Sequence, residues 1–436
     1  MRLSVIGCGY LGAVHAAAMA SIGHDVVGID VDPRKIEALS RGEAPFFEPG
    51  LPEILAEGVA SGRLTFTTDP SAARGADVHF VGVGTPQQAD GYAADLTYVN
   101  AAFASLLPHL RPGDVVAGKS TVPVGTTAGL ADAVSATGAT LVWNPEFLRE
   151  GWAVQDTIDP DRLVVGVPEG SDGERAAEVL RGVYHPAVAK GTPFIVTDYA
   201  TAELVKVSAN AFLATKISFI NAMAEIAEAT GADVTQLADA IGHDVRIGRR
   251  FLGAGIGFGG GCLPKDIRAF SARAEELGKG ESVAFLREVD AINMRRRERA
   301  VQLVLDGLGG SVFGKKVAVL GAAFKPHSDD IRDSPALDAA VRLNGLGANV
   351  VVTDPEAVEN ARRAHPQLSY AQTRDDALRD ADAVLVVTEW DEYRRELSPE
   401  HAAGLATGRL IVDGRNCLDP AAWRAAGWTY FGMGRP

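Results

Sequence analysis

The run Gly7-Cys8-Gly9-Tyr10-Leu11-Gly12 constrains the fold of this chain more than any other stretch. A short apolar segment, Leu3-Ser4-Val5-Ile6, precedes it, and an alanine-rich segment through Ala13, Ala16, Ala17 and Met19 follows. Strand, glycine turn and helix in that order open a dinucleotide-binding unit. The glycines let the backbone approach a pyrophosphate, and the helix entrance offers N–H groups and the positive end of its dipole. Tyr10 and Leu11 fill the variable places of the turn, so Gly7, Gly9, Tyr10, Leu11 and Gly12 are candidate cofactor contacts. The next apolar run, His24 to Asp30, ends in a carboxylate. A carboxylate there accepts from ribose hydroxyls and repels a 2′-phosphate, so NAD is expected rather than NADP. Lys35 is a further candidate contact, its plainer alternative being a solvated helix charge. Cys8 is expected to pack in the core.

The same alternation continues. Ala76–Val83, Val115–Ser120 and Thr140–Asn144 read as further strands between helical stretches, which means a parallel sheet covered on both faces. From Thr201 to about Gly231 the apolar residues follow a helical period with no Gly or Pro. That predicts one long helix, apolar on several sides, of the kind that forms a dimer core. Helices are expected to about Leu308, and Gly309-Gly310-Ser311 reads as a linker. A second α/β pattern then begins, with strands at Lys316–Gly321, Asn349–Asp354, Ala383–Thr388 and Leu410–Asp413. Here Gly321-Ala322-Ala323-Phe324-Lys325-Pro326 replaces the fingerprint, so a related fold with a different ligand is expected. The fold class is α/β: two Rossmann-like doubly wound domains joined by a long central helix.

Composition removes several function classes. Forty-two basic residues against 56 acidic ones give a net charge of -14, which argues against nucleic acid or an anionic membrane as main partner. No apolar run approaches the roughly 18 residues of a span, and no secretory leader is expected. The three cysteines, Cys8, Cys262 and Cys417, are far apart, so a reducing cytoplasm and no disulfide framework are expected. The nine His show no metal-ligand spacing, and no metal is expected.

The chemistry is concentrated in Gly259-Gly260-Gly261-Cys262-Leu263-Pro264-Lys265-Asp266. Three glycines admit a ligand close to the backbone, and Cys262 reads as standing at a helix entrance, which favours a thiolate. Asp266 falls one helical turn later. The plainer alternative is a glycine turn with a buried structural cysteine. Lys206 and Asn210 lie four apart on the long helix and could hold a developing oxyanion beside a thiol. Asn144-Pro145-Glu146-Phe147-Leu148-Arg149-Glu150 follows a strand end, where ligands gather in such sheets. Arg246, Arg249 and Arg250, then Lys325 with Arg332, then Arg415, are basic loop residues suited to an anion or to no role at all.

In this order the motifs resemble the nucleotide-sugar 6-dehydrogenases, the UDP-glucose/GDP-mannose dehydrogenase family, over essentially the whole chain. The resemblance implies two successive NAD-dependent oxidations of a UDP-sugar at C6, through a thiohemiacetal and a thioester on Cys262. It implies that Lys206 and Asn210 stabilise the C6 oxygen, and that Asp266 and Thr121 position water and help move protons. Glu146 then serves proton transfer, and Glu150 lies near the nicotinamide. Val83, Thr85, Pro86, Ser120, Thr121, Lys265 and Arg332 would contact NAD. Glu146, Phe147, Leu148, Lys206, Asn210, Phe251, Gly255, Gly259, Phe324, Lys325 and Arg415 would line the sugar-nucleotide site, with Arg246 reaching it from the second copy of a homodimer. The implied domains are a NAD-binding one at 1–198, a central helical dimerisation domain at 199–308 and a UDP-sugar-binding one at 309–436. The chain departs from the family at Gly261, where many members carry Ser, and at Leu263, which matches GDP-mannose enzymes better than UDP-glucose ones. The same reaction on GDP-mannose or a UDP-N-acetylhexosamine, and a non-catalytic NAD sensor, stay open at this point.

Overall fold

Short apolar runs rich in Val, Leu and Ile become strands because both faces of each are covered. In the computed structural model, which describes residues 1–436, the strands of the first sheet are β1 (Arg2–Ile6), β2 (Asp25–Ile29), β3 (Leu64–Thr67), β4 (Val78–Val81), β5 (Val115–Gly118), β6 (Thr140–Trp143), β7 (Leu163–Gly166) and β8 (Phe194–Thr197). Their order is β3-β2-β1-β4-β5-β6-β7-β8. The winding reverses between β1 and β4, the place where an open α/β sheet holds its ligand. The pairings are parallel with one exception: β6 and β7 run antiparallel, Trp143 opposite Gly166. The strands expected from the sequence do not include β3, β7 or β8. β3 and β8 are partly exposed, so their apolar signal is weak, whereas β7 is fully buried and as apolar as the neighbouring strands.

The second sheet contains β9 (Lys316–Leu320), β10 (Asn349–Thr353), β11 (Ser369–Tyr370), β12 (Ala383–Val386), β13 (Leu410–Asp413) and β14 (Thr429–Gly432). All its pairings are parallel and the order is β11-β10-β9-β12-β13-β14, the same winding as the first six strands of the other sheet. Its core includes Val317, Val319, Leu343, Val384, Ile411 and Trp423. Full burial of one such aliphatic side chain contributes about 1.5–3 kcal/mol, so a core of this size can hold strained turns at its edge.

The chain divides into two compact units, Met1–Ala209 with Ala272–Gly280, and Asn210–Ser271 with Glu281–Pro436. The expected long helix is present as Tyr199–Thr230, 32 residues. One side of it is buried through Ala202, Lys206, Asn210, Ala214, Asn221 and Ala224, while Leu204, Phe212, Phe219 and Ile226 are exposed. No helix is long and apolar enough to cross a membrane.

Candidate active site

In the first unit the turn after β1 is built as a dinucleotide turn requires. A Cβ on Gly12 would lie 1.7 Å from the Gly7 carbonyl oxygen, so only glycine lets the helix Tyr10–Ser21 start this close to the strand. Asp30, at the end of β2, is buried. Its Oδ2 accepts from the Cys8 N–H at 2.7 Å and from Lys35 at 2.9 Å, and Oδ1 accepts from the Asp32 N–H at 3.0 Å. Lys35 therefore reaches the cofactor region as the partner of Asp30. Cys8 is buried, as expected, and burial pushes its thiol up. On the other side of the switch point, Ser120 donates to the Val83 carbonyl and Thr85 to the Thr121 carbonyl, each at 2.8 Å. That ties the Val83–Pro86 loop to the Ser120-Thr121 loop. A closed glycine turn, a buried carboxylate with one acceptor position to spare and two hydroxyl-fixed loops fit the shape and polarity of NAD.

The loop after β6 is held from several directions. Glu146 Oε1 accepts from the Phe147 and Leu148 N–H groups at 2.8 and 3.0 Å. Its Oε2 lies 3.1 Å from the buried Lys119. Further along, Glu48 is buried and takes the Gly151 and Ala153 N–H groups at 2.6 and 2.7 Å, together with the Tyr10 hydroxyl. Glu150, between these two anchors, is buried. The Phe147 ring has the Arg162 guanidinium 4.0 Å and the Lys206 ammonium 5.3 Å from its centre. Leu148 packs partly buried against the core of the unit. Lys206 is itself buried with no carboxylate paired to it, so its charge remains available to an oxyanion. Glu203, one turn earlier, is buried and binds the Gly125 and Thr127 N–H groups, both at 2.7 Å, which fixes the loop that follows Thr121.

The second unit carries the thiol. Cys262 is exposed and immediately precedes the helix Leu263–Glu276, as its spacing predicts. The Asp266 N–H donates to the Cys262 carbonyl at 2.9 Å, so the two residues stand one turn apart. Asp266 is 2% exposed; its Oδ2 accepts from the Asn210 amide and its Oδ1 from Lys265, both at 2.6 Å. One carboxylate thus joins Asn210, Lys265 and the first turn of the thiol helix. Lys265, expected at the cofactor, also pairs with Asp266.

The glycine loop before Cys262 is clamped by residues that no local motif announces. Asn293 is fully buried; it accepts from the Phe258 N–H at 2.7 Å and donates to the Phe258 carbonyl at 2.9 Å. Arg297, also buried, donates to the Phe258 carbonyl at 3.1 Å and to Asp333 at 2.7 Å. A Cβ on Gly259 would lie 2.3 Å from the Asp333 carbonyl oxygen, and one on Gly260 would lie 2.8 Å from the Phe324 ring. The Arg332 guanidinium occupies the space that a side chain on Gly261 would fill, 2.3 Å from such a Cβ, and is paired with Asp330 at 2.7 Å. The missing side chain at Gly261 is therefore filled by Arg332.

The remaining expected ligand contacts fall in the same unit. Lys325 lies 5.2 Å from the centre of the Phe324 ring. Gly255 is buried and donates to Asn221 at 2.9 Å. Arg415 donates to the carbonyls of Val387, Gly257 and Phe324 at 2.8–2.9 Å, so most of its guanidinium braces the chain. Phe251 is exposed at a positive φ of 66. Arg246 is exposed and paired with Asp244 at 2.6 Å. No local sequence motif points to Glu48, Lys119, Tyr184, Glu203, Asn293 or Arg297. Their partners are distant in the chain, and no periodicity marks them. No cluster of His, Cys, Asp and Glu could hold a metal ion.

The chain matches the UDP-glucose/GDP-mannose dehydrogenase family in three stretches: the NAD binding domain over 1–188, the central domain over 200–295 and the UDP binding domain over 318–420. It is 43% identical to a UDP-glucose 6-dehydrogenase of Rhizobium meliloti (strain 1021), with 100% of both chains covered. It is 42% identical to one of Bacillus subtilis (strain 168), covering 100% of this chain and 93% of that one. Among solved structures, a UDP-glucose dehydrogenase from Pyrobaculum islandicum superposes with a TM-score of 0.90 at 40% identity, covering 100% of this chain and 98% of that one. A UDP-D-ManNAc dehydrogenase from Pyrococcus horikoshii superposes with a TM-score of 0.85 at 26% identity, covering 100% and 99%.

Proposed function

Because this chain belongs to the UDP-glucose/GDP-mannose dehydrogenase family, we propose that it oxidises UDP-glucose at C6 to UDP-glucuronate, with NAD as cofactor. NAD, when bound, would supply the hydride acceptor, one molecule for each of the two oxidations. The observation that carries the reading is the exposed Cys262 one turn from the buried Asp266, which also holds Asn210. The first oxidation turns the C6 alcohol into an aldehyde. The Cys262 sulfur adds to its carbonyl carbon, and the resulting thiohemiacetal loses the second hydride to become a thioester. Water then displaces the sulfur, giving the carboxylate and returning the thiolate.

The oxygen on C6 carries negative charge in each tetrahedral state. Lys206 supplies an uncompensated ammonium, and Asn210 has a second amide N–H beyond the one given to Asp266. Asp266 and Thr121 hold the attacking water and move protons, Glu146 accepts a proton, and Glu150 orients the nicotinamide end. Phe147, Leu148, Phe251, Gly255, Gly259, Phe324, Lys325 and Arg415 line the sugar nucleotide, and Arg332 lies at its NAD end. The active form is a cytoplasmic homodimer that covers Leu204, Phe212, Phe219 and Ile226 of the long helix, with Arg246 serving the second copy. The functional domains run 1–198, 199–308 and 309–436. Leu263 favours a second reading, the same chemistry on GDP-mannose.

The test is NADH formed per sugar nucleotide across a panel of UDP- and GDP-sugars. Two NADH per UDP-glucose, with acid as product, is expected. Cys262→Ala should form no acid, because nothing beside it can carry the acyl group. One NADH with accumulating aldehyde would overturn the thioester route, and faster turnover of GDP-mannose would overturn the substrate.

A further inference from the structure

Lys119 directly follows β5 and is 4% exposed. A buried ammonium persists only where opposite charge and hydrogen bonds replace water. Here Nζ lies 3.1 Å from Glu146 Oε2, 3.1 Å from Asn144 Oδ1 and 3.3 Å from the Tyr184 hydroxyl. Burial pulls the lysine down, Glu146 and Tyr184 push it back, and the balance lies above its ordinary value. The surrounding groups are fixed in turn. The Tyr184 hydroxyl donates to Asn144 Oδ1 at 2.8 Å, and Asn144 Nδ2 donates to the Val164 carbonyl at 2.9 Å. Asn144 and Tyr184 are 1% and 2% exposed.

Glu146 is therefore held from two sides. Its own loop supplies two N–H groups to Oε1, and Lys119 binds Oε2. A carboxylate offers about four acceptor positions, so one is left for a proton-bearing ligand. We propose that Lys119 is a positioning residue of the reaction: through its ion pair it fixes the Glu146 oxygen that takes the proton, and it touches neither sugar nor cofactor itself. This rests on the oxidation proposed above and on Glu146 as its proton-handling carboxylate. A loop anchor of purely structural use would lower stability, and it would lower turnover by the same factor whatever stands at position 146.

The experiment is a double-mutant cycle on the full-length enzyme with UDP-glucose and NAD, reading kcat, both KM values and thermal unfolding. The variants are Lys119→Met, Glu146→Gln and the pair. General acid–base groups contribute about a hundred- to ten-thousandfold, and Lys119→Met should remove roughly ten- to a hundredfold of kcat with small changes in KM. On the Glu146→Gln background the same change should cost less than about threefold, because its target is gone. Equal factors on the two backgrounds, or a loss confined to KM, would overturn the inference. If Lys119→Met does not fold, Tyr184→Phe replaces it, since it removes one acceptor from the ammonium and keeps the ring. It should lower kcat a few-fold with Glu146 present and have no effect without it, and again equal factors would overturn the inference. A wild-type enzyme that makes no NADH from UDP-glucose would instead sink the proposed function. An active wild type with additive losses would sink this inference alone.

Discussion

The two sheets share a strand order, yet they treat the carboxylate that ends their second strand in opposite ways. Asp30 accepts from two backbone N–H groups, of Cys8 and Asp32, and from Lys35. Asp354, in the matching place after β10, accepts from the N–H groups of Ala322, Ala323, Glu356 and Ala357 and from the Trp390 indole at 3.1 Å. A carboxylate has about four acceptor positions. Asp30 retains one free position, while Asp354 is saturated and covered by an aromatic ring. The turn after β9 also has a different use. Phe324 from that turn packs against Gly260, and Arg415 bridges the Phe324 and Gly257 carbonyls, so the second sheet braces the loop that carries the thiol. One winding can therefore bind a dinucleotide or support a neighbouring loop. The choice rests on whether the carboxylate has capacity left over.

The hardest test of this contrast is Gly12→Val. Its side chain would collide with the Gly7 carbonyl, 1.7 Å from the Cβ position. NAD binding, followed by calorimetry, and NADH formation should both disappear; retained binding would mean that the pyrophosphate does not sit on this turn. Asp354→Ala should act on stability instead. Stranding several buried donors should cost roughly 3 kcal/mol, seen as a lower unfolding midpoint with NAD affinity unchanged. A loss of NAD affinity without a loss of stability would mean that the second sheet also takes a dinucleotide.

Acid should separate the units next. Only the first buries histidines: His15, His24 and His79. Burial, aided by the nearby charge of Lys119, holds His15 well below its ordinary value of 6.5, and neither ring nitrogen has a hydrogen-bond partner. Below that pH the unfolded chain takes up a proton that the folded chain refuses. The contribution is thus complete above about 6.5 and shrinks as pH falls below it, seen as a lower unfolding midpoint at pH 5 than at pH 7. Hydrogen exchange should show the first unit opening first; earlier opening of the second would contradict the assignment. The smallest effect is expected for Asp30→Ala. The ratio of NAD to NADP turnover should fall about tenfold as the repulsion at the ribose is lost, and an unchanged ratio would move the ribose away from Asp30.

Where a residue's placement depends on spacing within one element, the sequence was sufficient. A strand, a glycine turn and a helix must place Gly12 against Gly7, and i, i+4 spacing must put Asp266 one turn from Cys262 and Asn210 one turn from Lys206. The length of the central helix followed from its apolar period in the same way. The sequence did not contain the choice of partner for a buried charge. Glu146 meets Lys119 because β5 and β6 are neighbours. Glu48 takes the Gly151 and Ala153 N–H groups across a long separation, and Asn293, in the helix Phe285–Gly307, grips Phe258. Nor did it show that Arg415 would serve the main chain or that Lys265 would serve Asp266. Helix and strand periods are set by local backbone geometry and can be read along the chain. A buried polar group must find its partner among whatever packing brings near it, and only the tertiary structure decides which groups those are.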